Sequence, residues 1–157
     1  MKKHNLISLL FYVVSAEAIG GLSALLTGSF SDFFDKYLEP PLLPAKWLFP
    51  VVWVILYAIM GLSAYLISMS EVETDKIKCA LTVYWVQLAF NFSWSIAFFR
   101  LEWLWGGVAI IISLLLLIAL MLIFFSKIDK RAALINIPYL LWVAFATYLN
   151  LATAIIN

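Results

Sequence analysis

Two amides stand where hydrocarbon is expected. In the run Gln87-Leu-Ala-Phe-Asn91-Phe-Ser-Trp94-Ser-Ile-Ala-Phe98-Phe99, the residues Gln87, Asn91, Trp94 and Phe98 recur at i, i+4, i+7 and i+11. That is the spacing of one helical stripe. An amide in apolar surroundings costs roughly 2–7 kcal/mol unless it meets a hydrogen-bonding partner, so this stripe is expected to face a bundle interior or a cavity. Ala89, Ser93 and Ala97 form a second stripe on roughly the opposite face, small enough for another helix or a second copy of the chain to approach closely. Two further stripes carry rings: Trp53, Tyr57, Met60 and Ala64, then Pro138, Trp142, Ala146, Leu149 and Thr153. Amides orient a ligand and indoles stack on a flat one, so the chemistry on offer is binding. No hydrolytic triad, phosphate loop or metal cluster is visible. The one histidine, His4, precedes the first apolar run, and the one cysteine, Cys79, permits neither an intrachain disulfide nor a thiolate cluster.

Elements that position such stripes follow from composition. Of 157 residues, 66% are hydrophobic and 12% charged, which excludes an ordinary soluble domain. A net charge of +1 points to no nucleic acid partner. Five runs approach the ~20 apolar residues a bilayer-crossing helix needs: Asn5 to Thr27, Trp47 to Met69, Ile77 to Phe99, Trp103 to Phe125 and Ala132 to Ile156. The expectation is an all-α integral membrane bundle of five transmembrane helices, a single domain over residues 1–157. The first run contains Glu17 and continues to Thr27, so it reads as a retained span rather than a cleaved signal. Three joints are short and polar. Residues 28–46 are longer and rich in proline and aromatics, and are expected to form an ordered cap with a short helix at Phe33 to Leu38. The fourth span is nearly all Ile, Leu and Ala, which reads as a face toward lipid or a partner.

Orientation follows from the cationic residues. One side holds Lys2, Lys3, Lys76, Lys78, Lys127, Lys130 and Arg131; the other holds Lys36, Lys46 and Arg100. The N-terminus is therefore expected in the cytoplasm and the C-terminus outside. The cap, the start of span two, the end of span three and the end of span five then share one surface. At about 1.5 Å per residue, Trp53 and Asn91 lie roughly 10 Å below it, with Trp142 somewhat deeper. Three helices thus present rings and amides beneath a proline-rich lid, as expected for a pocket that takes a flat, mostly apolar ligand. The candidate lining is Trp47, Pro50, Trp53, Tyr57, Gln87, Asn91, Trp94, Phe98, Trp142, Ala146 and Leu149. Plain helix packing is the alternative for Trp53, Trp142, Gln87 and Asn91. Trp47, Trp103 and Trp105 also read as interfacial belt residues.

These residues resemble the tryptophan-rich sensory protein / translocator protein family, also called peripheral benzodiazepine receptors. The loop-to-helix signature Pro-Pro-x-Trp-x-Phe-Pro-x-x-Trp-x-x-x-Tyr is met from Pro44 to Tyr57, with Ala45 replacing the second proline. The third-span pattern is met by Gln87, Asn91, Trp94, Phe98 and Phe99, and the fifth-span pattern by Pro138, Tyr139, Trp142, Ala146, Thr147, Leu149 and Asn150. Phe33-Phe34 and Glu39-Pro40-Pro41-Leu42 depart from the family's Trp-Tyr pair and Lys-Pro-x-Trp. Asn150 to Asn157 lacks the Tyr and Arg of the proposed cholesterol motif, so no cholesterol carrier is expected. The resemblance implies no obligatory cofactor, protoporphyrin IX or haem as ligand, benzodiazepine-type binding, a homodimer and a bacterial cell membrane. It further implies light-dependent porphyrin breakdown, with Trp53 and Trp142 as the catalytic residues.

Residues beside this core reading keep two meanings. Lys46 and Arg100 could meet a porphyrin's carboxylates or simply snorkel to the interface. Glu17, beside Gly20 and Gly21, could be a neutral carboxyl satisfied by a neighbouring helix. It could equally be the coupling group of a small transporter of amphipathic anions or lipids, the alternative function.

Overall fold

A computed structural model describes residues 5–28 and 30–157; Lys2 and Lys3, on which part of the orientation reading rests, lie outside them, as does His4. Seven α-helices run in order: α1 (Leu6–Thr27), α2 (Phe30–Lys36), α3 (Leu48–Ser68), α4 (Thr74–Ser95), α5 (Leu104–Ser126), α6 (Lys130–Leu134) and α7 (Ile137–Ile156), with a π turn at Ile96–Arg100 after α4. There is no strand among the described residues. The molecule is an all-helical membrane bundle. Of its five long helices, α1, α3, α5 and α7 are long and apolar enough to cross a bilayer. The remaining long helix, α4, carries Asp75, Lys76 and Lys78 at its start and Gln87 and Asn91 in its middle, and these lower its mean hydropathy.

Helix ends follow local chemistry. Asn5 caps α1, its side-chain oxygen accepting from the Ile7 N–H at 3.0 Å. Asp129 caps α6 through the Arg131 N–H at 2.9 Å, and the Arg131 guanidinium hydrogen-bonded to it holds the Asp129 carboxyl below the usual range. The expected fifth span is broken in two: α6 ends at Leu134, and α7 restarts at Ile137 with Pro138 in its first turn, where a missing N–H costs nothing. The third span is also longer than its α-helix. The Leu101 N–H donates to the Ile96 carbonyl at 2.9 Å, the widened register of a π turn. That turn swings Phe98 against α5, where Gly107 makes room: a Cβ there would meet the Phe98 ring at 2.5 Å.

Packing is closest between α1 and α3. A Cβ on Gly61 would lie 2.5 Å from the Val13 Cα and 2.7 Å from the Tyr12 carbonyl oxygen, so the two backbones are in direct contact. The core holds Met60, Tyr84, Leu88, Phe98, Val143 and Tyr139, all buried. One sequence expectation is corrected here. The Ile/Leu-rich span, α5, does not simply face outward: Ile111, Leu114, Ile118, Met121 and Phe125 are fully buried against its neighbours. Ile112, Leu116, Leu120 and Ile123 form its exposed face. Uniform hydrophobicity hides which side packs.

The segment from Gly28 to Lys46 is tied down as a lid. Its helix, α2, spans Phe30–Lys36 rather than Phe33 to Leu38. Phe33 packs on Phe98 and Phe99 of the π turn with ring centroids 5.3 and 5.0 Å apart. Lys36 and Tyr37 donate to the Glu102 carboxylate. At the far end, the Leu38 N–H donates to the Asn157 side chain at 2.9 Å and Tyr148 donates to the Pro41 carbonyl at 3.2 Å. The lid, the end of α4 and the end of α7 therefore meet at one surface.

Candidate ligand cavity between α1, α3 and α4

Under the lid lies a cavity of about 280 Å³, walled by α1, α3, α4 and the π turn. Its rings are Phe49, Trp53, Tyr57, Trp94 and Phe99. Trp53 stands at the centre of them, 5.7 Å from Tyr57 and 5.8 Å from Trp94 between ring centroids. Pro50 and Asn91 complete the part of the wall that the sequence picked out. The opposite wall is α1: Glu17, Gly20, Gly21, Ser23, Ala24 and Thr27. Small residues on that helix leave the space that the rings border.

Behind the rings runs a buried hydrogen-bond chain. Tyr57 donates to Asn91 Oδ1 at 3.0 Å, Asn91 Nδ2 donates to the Tyr139 oxygen at 2.9 Å, and Tyr139 donates to Gln87 Oε1 at 2.7 Å. Gln87 Nε2 reaches the Met60 sulfur at 3.6 Å. The amides thus join α3, α4 and α7, and Asn91 both pairs helices and lines the cavity. Gln87 is fully buried in the chain itself, away from the cavity. Trp94 Nε1 donates to Asn150 Oδ1 at 2.7 Å, which locks that indole in place as a wall. At the lid end, Thr27 donates to the Ser23 carbonyl at 2.8 Å. Its oxygen lies 2.6 Å from that of Ser95, so with one proton already given, Thr27 accepts from Ser95.

Other expected site residues are dispersed. Phe98, Ala146 and Leu149 border a small void of about 10 Å³ that shares Phe49, Trp53, Trp94 and Phe99 with the main cavity. Trp142 lies outside both, flanking a groove on the outer side of α3 and α7. Its ring meets Phe49 at 5.7 Å, one ring behind the cavity wall, and its buried N–H has no partner among the described residues. Trp47 is 68% exposed at the start of α3, as a belt residue would be. Lys46 pairs with Asp35 at 2.8 Å and Glu39 at 3.7 Å within the lid, and Arg100 is exposed at the end of the π turn. Of the small stripe, Ala89 and Ser93 are exposed while Ala97 is buried, so only the first two positions are open to a second copy. Sequence reasoning drew the pocket from spans two, three and five; the structure puts span one in the place of span five. The signal was present in Glu17-Ala-Ile-Gly20-Gly21-Leu-Ser23-Ala24, a carboxyl and small residues in mid-span.

The comparisons with known proteins agree with this architecture. The family model described as TspO/MBR family matches residues 10–156. The chain belongs to the TspO/MBR family. It is 32% identical over 127 residues to the tryptophan-rich protein TspO of Chlorobaculum tepidum, covering 81% of this chain and 80% of that protein. Protein CrtK of Rhodobacter capsulatus is 32% identical over 146 residues, with 93% and 90% covered. The human translocator protein is 31% identical over 114 residues, with 71% and 67% covered. As a TspO/MBR protein with helices of this length and hydropathy, the chain is an integral membrane protein.

Proposed function

We propose that this TspO/MBR chain binds a flat conjugated ligand of the tetrapyrrole class, protoporphyrin IX or haem, in a sensor- or translocator-type role in the membrane. The observation that carries the reading is the ring wall of Phe49, Trp53, Tyr57, Trp94 and Phe99 around a cavity of about 280 Å³. Rings so placed offer stacking and edge contacts to a planar guest, and the volume is close to the ~300 Å³ at which small-molecule pockets begin. Among the described residues no imidazole, thiol or thioether lines the cavity, so a haem would be held by packing of its ring rather than by an ordinary axial ligand. A tetrapyrrole's carboxylates would point to the lid end, toward Lys46 and Arg100. The names of the relatives, sensory protein and translocator protein, support a binding role that reports or moves a ligand. Benzodiazepine-type ligands, also flat and aromatic, suit the same walls.

The test is a protoporphyrin IX titration of the purified chain in detergent, read by tryptophan quenching and by the porphyrin absorbance band. Saturable binding is expected, weakened by Trp53→Phe and unchanged by Trp142→Phe. Absence of saturable quenching in the native chain would sink the proposal. Light-dependent breakdown with dioxygen as the oxidant is a second reading, favoured by the contact of Trp53 with Trp94 on the wall, which offers an electron donor to the excited porphyrin and a neighbour to relay from. Under illumination, bound porphyrin would then bleach faster than free porphyrin, and Trp53→Phe would remove the difference. Equal bleaching rates dismiss it.

A further inference from the structure

We propose that the cavity is also a site for an amphipathic aromatic cation, with the Glu17 carboxylate as its counter-ion. Among the described residues, Glu17 is the one formally charged side chain on the cavity wall, and no Lys, Arg or His lines it. It lies mid-way along α1, half-buried, and makes no hydrogen bond or ion pair among the described residues. Several other polar groups on the wall are engaged: Tyr57 and Asn91 with each other, Thr27 with the Ser23 carbonyl and with Ser95. An ionisable side chain within a membrane span is costly, and it persists where a partner or a function is provided. Among the described residues none pairs with it, which leaves the carboxylate available to a guest.

Surroundings define what guest completes the pair. Gly20, one turn beyond Glu17, leaves its Cα against the Tyr57 ring, where a Cβ would meet that ring at 2.3 Å. Gly21 has nothing within 4 Å of a Cβ position, so the wall beside the carboxyl is open. Trp53, Tyr57 and Trp94 line the same cavity from α3 and α4. A carboxylate on one side and indole and phenol rings on the other are the two features that recognise an organic ammonium, by charge and by cation–π attraction. The aryl part of such a guest would fill the ring-lined remainder. This assignment does not depend on the tetrapyrrole reading, because it rests on Glu17 and the α1 wall rather than on the carboxylate contacts at the lid.

A matched set of probes tests it: 1-pyrenemethylammonium, the neutral 1-pyrenemethanol and the anionic 1-pyreneacetate, each titrated into the full chain in detergent and read by energy transfer from tryptophan. The native chain should prefer the ammonium over the alcohol by about tenfold or more, with the acetate weakest. Glu17→Gln should erase that preference while leaving the alcohol within about twofold, and Glu17→Asp should keep part of it. Equal affinity for ammonium and alcohol in the native chain, or a preference that survives Glu17→Gln, overturns the assignment. If Glu17→Gln loses the alcohol as well, Glu17→Asp decides, and absence of the preference there also overturns it. Protoporphyrin IX titrated alongside keeps the readings apart: failure of the porphyrin with retention of the ammonium preference removes the tetrapyrrole proposal alone.

Discussion

Replacing Asn91 with Leu tests whether the buried amide chain holds the bundle together. The substitution keeps roughly the same bulk but removes both the acceptor for Tyr57 and the donor to Tyr139, bonds of 3.0 and 2.9 Å. Tyr57 and Tyr139 are 6% and 0% exposed, so neither phenol can turn to bulk water. Tyr57 loses its acceptor and becomes an orphaned buried donor, which costs about 1–3 kcal/mol. Tyr139 still donates to Gln87 at 2.7 Å and loses only one bond, about 0.6 kcal/mol by the average for such contacts between membrane helices. The expected loss for Asn91→Leu is therefore about 2 kcal/mol. The decisive comparison adds Tyr57→Phe, because removing both partners leaves less unsatisfied than removing one. Reversible unfolding in mixed micelles, followed by circular dichroism, should show the double variant recovering about 1 kcal/mol relative to simple additivity. If Asn91→Leu costs under ~0.5 kcal/mol, or the two changes add within about 0.3 kcal/mol as distant sites do, the chain is not a structural network and the reasoning fails.

Other expectations follow from single contacts. Gly61→Ala should destabilise by about 1–3 kcal/mol, since its Cβ would strike backbone atoms of α1 at 2.5 and 2.7 Å. Gly21→Ala, with open space around it, is the control in the same unfolding assay, and equal stability of the two would refute the close α1–α3 contact. Trp94→Phe should lose about 1 kcal/mol with the bond to Asn150 in addition to a packing cost for the smaller ring, and only the hydrogen-bond share should vanish in an Asn150→Leu background. The lid latch has a defined acid limit. Hydrogen bonds from Lys36, then Tyr37, hold the Glu102 carboxyl below its ordinary value of 4.5. A lowered native value means the latch stabilises above that ordinary value and is lost as pH falls through the lowered one. Hydrogen-exchange protection in residues 30–46, taken relative to the intrinsic amide rate at each pH, should therefore hold from neutral pH to about 5 and fall only below that; in Glu102→Gln it should be lower throughout and lose this step.

Much of the bundle was readable because bilayer-length apolar runs and polar joints are one-dimensional signals. All five spans fall within a few residues of the long helices, and the third-span amides were marked as inward-facing before any neighbour was known. What escaped has physical reasons. The π turn at Ile96–Arg100 has no compositional mark, since it depends on how Phe98 seats against Gly107. Tyr57 and Tyr139 could be placed on stripes, but that they bracket Asn91 is a fact about three helices at once. Trp142 shows the same limit. Counting residues along a helix gives its depth; the side of the bundle it faces depends on how α7 is rotated. Pro138 and Asn136 divide the last span into α6 and α7, and that break decides which way the remainder points.

The placement of α4 explains why a helix with polar groups in mid-membrane can persist. Its costs fall on one stripe, and each is met from α3 or α7: Gln87 and Asn91 by Tyr139 of α7, Asn91 also by Tyr57 of α3, and Trp94 by Asn150 of α7. None of these partners lies on α1. Among the described residues, the α1 side of the cavity is joined to α4 by side-chain hydrogen bonding only through Thr27 and Ser95 at the lid end. Gly61 fixes α1 to α3 further along, so the opening has a rigid end and a lidded end. A ligand that fits there meets a firm ring wall on α3 and α4 and a carboxyl on α1. Selectivity should accordingly be read from substitutions on α1, and stability from substitutions on the amide stripe.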